Sequence, residues 1–316
     1  MIFIIILLVI VVLLIAAGFI AFEMAFAGKV AGPAKLIIDA ATQDADTIPG
    51  LEENINNAKK FWSSLDKENV EIRSVDGITL RGEYYAQENA KRSILLVHGY
   101  RATGLSNFAV VLPTFANNGC NILLIDQRAC GRSDGKYTTF GLMERYDVVE
   151  WVNWIHEREN GIRPIYIDGI SMGGATVAMC ADLDFPEEMR GIICDCGFTT
   201  CGDIIKIVMK KFAHLPAFPL FYFIGFAMKV KTGLGMYDVD SRECLKNSKY
   251  PFYFIHGKKD DFVPYEMGTE NYDACTSEKA FFTSEESTHG MSFVDKPEEC
   301  TAFVFELFNK HDGDLQ

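Results

Sequence analysis

Hydrophobic and polar positions along this chain form three successive patterns, each predicting a different kind of element. From Met1 to Phe22 there is no charged side chain, and at about 1.5 Å per residue the run is long enough to cross a bilayer core as a helix. It predicts a transmembrane anchor. A secretory signal peptide is the competing reading, since Ala25-Phe26-Ala27 resembles a cleavage site, but a basic n-region is missing and the apolar stretch is too long for an h-region. Residues 28–67 then read as a polar connector, with helical tendency where Asn54 to Leu65 carries charges and amides on one face.

The second pattern is a hairpin: Val70–Ser74 and Ile78–Tyr85 flank the turn Asp76-Gly77. The third is an alternation. Short apolar, β-branched runs at Ser93–Val97, Asn121–Ile125, Pro164–Ile167, Gly191–Cys194 and Pro251–Ile255 suit strands covered on both faces. Between them lie helical patterns such as Leu142–Glu157 and Gly173–Ala181. An antiparallel start followed by strand-helix alternation predicts an α/β fold with a doubly wound, mostly parallel sheet. Thr199 to Lys249 interrupts this alternation with a strongly apolar stretch, Leu215–Met228, broken by Pro216 and Pro219. Those breaks make it too short for a second span.

Composition changes the picture in two ways. The net charge of −13, with scattered lysines and arginines, argues against nucleic acid, whose phosphates need a basic face. The 9 cysteines lack framework spacing, and Cys120, Cys180, Cys194 and Cys300 fall in segments that read as buried, as expected in a reducing compartment. Lys29 and Lys35 follow the apolar run, so the positive-inside rule places the C-terminal part on the cytoplasmic side. Cys194-Asp195-Cys196 with Cys201 makes a poor zinc signature, with no second pair or nearby histidine. No metal and no cofactor are expected.

Candidate chemistry centres on Gly169-Ile170-Ser171-Met172-Gly173, which follows the apolar run Ile165-Tyr166-Ile167 and leads into a helical pattern. A Gly-x-Ser-x-Gly between strand and helix predicts a nucleophile elbow, a strained turn that holds the serine hydroxyl at a helix N-terminus. In such an elbow one oxyanion donor is the backbone N–H after the nucleophile, here Met172, and the other comes from the loop after the third strand. That loop is His98-Gly99-Tyr100-Arg101, and Tyr100 is the expected donor. His98 itself reads as a strand-end histidine bonded to its loop. A carboxylate should follow, then a histidine. The loop after Phe252–Ile255 offers Asp260 and Asp261, chemically equal, and Asp195 ends the strand before it. For the base, His289 lies in a loop between Lys279–Thr283 and the helix Pro297–Lys310, whereas His311 lies in the charged tail. His289 is the expected base.

Read in order, these segments resemble the α/β-hydrolase superfamily over roughly residues 68–310, and within it the serine aminopeptidase-like and esterase-like hydrolases that bacteria carry behind an N-terminal membrane helix. The resemblance rests on Asp76-Gly77, His98-Gly99, Asp126-Gln127-Arg128-Ala129-Cys130-Gly131-Arg132-Ser133, the elbow, Gly257-x-x-Asp260-x-x-Val263-Pro264 and the His289 loop. Ala129 stands where the family commonly has glycine. The family spacing selects Asp260 over Asp261. It also implies a domain at 68–310, a small helical cap at about 199–249 over the serine, and a tail at 311–316. The implied activity is hydrolysis of a carboxylic ester through an acyl-enzyme on Ser171, with an apolar cap suited to acyl or lipid-like groups. A peptidase or amidase of the same fold uses the same chemistry, and a membrane-tethered binding module without catalysis is a reading from another class. The expected partners are a small-molecule ester, acyl or peptide substrate and the membrane.

Overall fold

The computed structural model describes residues 1–28 and 50–314. Most of the connector, including Lys29 and Lys35, lies outside them, as does the end of the tail.

Apolar throughout except for Glu23 near its end, Ile2–Phe26 forms one helix, α1, long enough to span a bilayer. Leu51–Ser64 forms α2, which buries Leu51, Ala58 and Trp62 along one face. Trp62 is 1% exposed and its indole N–H donates to Glu83 at 2.6 Å. The connector reading is therefore corrected for this segment: α2 packs on the globular body and contributes to its core.

Strands β1 (Glu68–Arg73) and β2 (Thr79–Tyr85) pair antiparallel around the Asp76-Gly77 turn. Then come β3 (Arg92–Val97), α3 (Gly104–Phe108), α4 (Leu112–Asn117), β4 (Cys120–Asp126), α5 (Glu144–Glu159), β5 (Ile165–Ile170), α6 (Met172–Ala178) and β6 (Met189–Asp195). Between β6 and β7 (Phe252–Gly257) lie α7 (Cys201–Lys211), α8 (Leu220–Thr232) and α9 (Ser241–Leu245). The chain closes with α10 (Tyr265–Ala274), β8 (Lys279–Ser284), α11 (Ser292–Asp295) and α12 (Pro297–His311).

The sheet has 8 strands in the order β1-β2-β4-β3-β5-β6-β7-β8. Only β2 runs antiparallel to both neighbours, and β4 through β8 are parallel. The central strands β3, β4 and β7 are buried at every position, which explains their unbroken hydrophobic runs. One core lies on each face of the sheet. A third, above the strand ends, joins Met172 and Phe198 to α7, α8 and the last turns of α1.

Because β3 is flanked by β4 and β5, the chain order reverses there. A crevice forms at such a switch point, outside the carboxyl ends of the strands. Ser171 follows β5 and the His98 loop follows β3, so both stand at this edge.

Candidate active site

Ser171 has φ 58 and ψ −117, a backbone conformation that L-residues populate at a cost. Its N–H donates to the Asp195 carbonyl at 2.8 Å, and Met172 opens α6 directly behind it. The tight turn needs its glycines: a Cβ on Gly173 would strike the Val97 carbonyl, and one on Gly169 the Gly173 carbonyl. The serine is thus held up where two strands and a helix leave room for no other side chain.

His289 Nε2 lies 2.8 Å from Ser171 Oγ, and His289 Nδ1 lies 2.7 Å from Asp260 Oδ2. Asp260 is fixed from several sides. Its Oδ1 accepts the N–H groups of Phe262 and Val263 at 2.9 and 2.8 Å, and His256 Nε2 lies 3.2 Å from its Oδ2. Asp261, by contrast, points outward, 94% exposed and paired with Lys211. Asp195 is buried beneath the site, and burial pushes its carboxyl up to about 6, against the charges of His256 and His289.

Electrostatics couples the histidine and Asp260. Burial opposes ionisation of Asp260, but the His289 charge and hydrogen bonds from both histidines override it and hold the carboxyl well below its usual range. For His289, burial works against the charged form, and the Asp260 charge with its hydrogen bond turns the net shift upward.

The His98 loop lies beside the serine, since a Cβ on Gly99 would sit 3.2 Å from Ser171 Cβ. Tyr100 stacks on Phe140 with centroids 5.1 Å apart, and its hydroxyl donates to the Ala25 carbonyl of α1 at 2.5 Å. Both Tyr100 and Met172 line a cavity that reaches Ser171. Away from the serine, His98 is fully buried, with Nδ1 at 2.7 Å from the Gly99 carbonyl and Nε2 accepting the Gln127 N–H at 2.9 Å. That pattern puts the proton on Nδ1, and burial keeps the ring neutral.

Two cavities meet at Ser171. One, of about 400 Å³, lies under α2 and is bordered by Leu51, Arg101, Asn107, Met291 and His289. The other, of about 160 Å³, is walled almost entirely by apolar side chains of α1, α7 and α8. As to metals, Cys196, Asp260 and His289 are the one group of ligand-type atoms close together among the described residues. Burial keeps the Cys196 thiol protonated far above its ordinary range, and the other two are engaged with each other. Such a set does not suit a cation.

Residues 92–232 match the family described as the alpha/beta hydrolase fold. The chain has the α/β-hydrolase fold. Among α/β-hydrolases of known structure, an esterase of Pyrococcus furiosus, Pf2001, superposes with a TM-score of 0.66 at 24% identity, covering 79% of this chain and 93% of that one. At that identity the likeness shows the fold. In sequence, the Bacillus subtilis (strain 168) protein YqkD is 26% identical over 79% of this chain and 82% of its own length. A proline iminopeptidase of Saccharolobus solfataricus is 27% identical over 47% of each chain.

Within this fold the loop around Asp126 acquires a physical role. Arg128 donates to Asp147 at 2.6 and 2.8 Å and to Asp76 at 2.9 Å, which ties the hairpin turn to α5. Ala129 sits at φ 60, a left-handed conformation, so a glycine would fit that position without strain. A role for His256 is not legible in the sequence, because a histidine at a strand end looks the same whether it faces a carboxylate or a backbone carbonyl.

Proposed function

We propose that this α/β-hydrolase is a membrane-anchored serine hydrolase that cleaves a carboxylic ester with an acyl or lipid-like acid part. The observation that carries the reading is the hydrogen-bonded chain Ser171–His289–Asp260, with distances of 2.8 and 2.7 Å. An isolated serine hydroxyl is a weak nucleophile at neutral pH, so a base in contact with it is required. Ser171 Oγ bonds to the carbonyl carbon as its proton passes to His289 Nε2. Asp260 orients the imidazolium and stabilises its charge. Collapse breaks the carbon–oxygen bond, and the alcohol leaves with that proton. Water then attacks with the same assistance, releasing the acid and restoring Ser171. The N–H groups of Tyr100 and Met172 hold the oxyanion in both steps.

An ester of an apolar acid is favoured over a peptide by the smaller cavity, whose walls are almost wholly apolar. The domain reading is a hydrolase body at 68–310 with the cap at 199–249 over the serine. For residues 1–27, a retained anchor is favoured over a cleaved signal by packing: Phe22 and Phe26 are 0% exposed within the cap core. A cytoplasmic body is supported by 9 free, buried cysteines.

Fluorophosphonate labelling of the full-length protein tests the nucleophile. The wild type is expected to label and Ser171→Ala not to. A wild type that stays unlabelled removes the catalytic reading. p-Nitrophenyl esters of rising chain length, compared with aminoacyl anilides, then decide the bond cleaved; a preference for anilides would overturn the ester assignment.

A further inference from the structure

The anchor helix is bare only along its outer part. Met1 to Leu13 are exposed, and from Leu14 onward α1 begins to be covered by the globular body. A bare segment of Ile2–Leu13 is about 18 Å long, against roughly 30 Å of hydrocarbon. A span by α1 must therefore include docked residues, down to about Phe22. Charge marks the same level: Glu23 receives the Tyr137 hydroxyl at 2.7 Å and pairs with Lys231 at 3.6 Å.

Those docked turns lie on α8. Gly18 packs so closely that a Cβ there would strike Phe223, and Phe19 meets the Phe226 ring edge to face at 6.2 Å. Whatever depth these turns of α1 reach, α8 reaches too. Its outward face carries Phe218 just before the helix, then Tyr222, Phe226 and Val230, at 75, 65, 53 and 57% exposure. Spaced four residues apart, they form one stripe, and Phe226 within it is the residue that meets Phe19 of α1. The apolar cavity runs beneath this pair of helices, from Ser171 past Ala21 and Ala25 of α1 and Ile224 of α8 to Leu215. Leu215 is 44% exposed and lies next to Phe218 in the chain.

We propose that α8 lies in the bilayer beside α1, and that a membrane-resident long-chain ester passes its acyl chain from the hydrocarbon through the seam between them to Ser171. The anchor is then a wall of the acyl site as well as a tether, with the small side chains of Ala21 and Ala25 leaving room for the chain. This rests on the ester-hydrolase reading above.

Two measurements on the full-length protein in phosphatidylcholine nanodiscs test it. The first uses Phe226→Cys, which adds an exposed thiol to a chain whose own cysteines are buried, labelled with an environment-sensitive fluorophore. Lipids carrying a nitroxide on the acyl chain should quench it at least threefold more than the same label at Val75→Cys, an exposed hairpin-turn position. Equal quenching at the two sites overturns the proposal whatever the enzyme does. The second compares kcat/KM for p-nitrophenyl palmitate with that for the acetate. Ala25→Trp, with fluorophosphonate labelling as the check that the site is folded, should lower this ratio at least tenfold. Hydrolysis by the variant with an unaltered ratio overturns the acyl route alone. If the wild type cleaves neither ester, the catalytic reading fails first and the route fails with it.

Discussion

Asp260 and His289 move each other's ionisation in opposite directions, and the signs fix the pH behaviour. In the proposed mechanism His289 must be neutral to take the Ser171 proton, yet Asp260 holds its pKa above the ordinary 6.5. The rate kcat/KM should therefore climb with pH through a limb centred above 6.5, and Asp260→Asn should shift that limb downward. Because the substitution also frees the wrong tautomer, kcat should fall by roughly 10⁴. A pH–rate profile of both proteins checks this, and an unmoved limb would show that Asp260 does not face the base. In stability, the raised pKa of His289 favours the fold fully below pH 6.5 and the benefit disappears as pH rises through the raised value. For Asp260 the depressed pKa acts above the ordinary 3.8 and its benefit disappears as pH falls through the depressed value.

Among the elements, α2 shows how a polar segment can still belong to a core. Its sequence looks solvated because three buried residues, Leu51, Ala58 and Trp62, are spread over three turns among charges and amides. Spacing of that kind places them on one helical face, but only the packed structure shows that the face is covered. Trp62→Ala should cost about 3–5 kcal/mol, read as a lowered midpoint in urea. An unchanged midpoint would return α2 to the status of a spacer. The same helix lends Leu51 and Ile55 to the larger cavity beside Ser171, so loosening it should also weaken substrate binding.

At the scale of the whole molecule, α1 joins the other parts of the structure. Its last turns are held by the pairing of Ala27 with Tyr137, by the Thr138 N–H on the Phe26 carbonyl at 2.8 Å, and by Arg101, which donates to the Met24 and Ala27 carbonyls at 2.6 and 2.8 Å. Cleavage after Ala27 would withdraw two fully buried phenylalanines and open the apolar cavity. The protein should therefore stay in the membrane pellet at alkaline pH, with an intact mass that includes residues 1–27. A soluble product beginning at Gly28 would contradict this.

The sequence by itself determined the sheet and the elements around the site. Period and apolarity are local properties, so the hairpin and the parallel strands could be read from them, while the elbow was read from its Gly-x-Ser-x-Gly and the choice of Asp260 and His289 from the chain order and spacing that the family resemblance implies. It also exposed the span-length run at the N-terminus, because whether a helix can cross a bilayer depends on its length and apolarity. Distance across the chain was a matter for tertiary structure. Asp260 and Asp261 are equal in sequence, and only the loop's conformation turns one toward His289 and the other to solvent. His256 becomes relevant only because its ring reaches the same carboxylate. The packing of α1 on α8 was likewise invisible, since a lipid-facing helix and a protein-facing one show the same apolar residues. Which face meets which solvent is decided by packing.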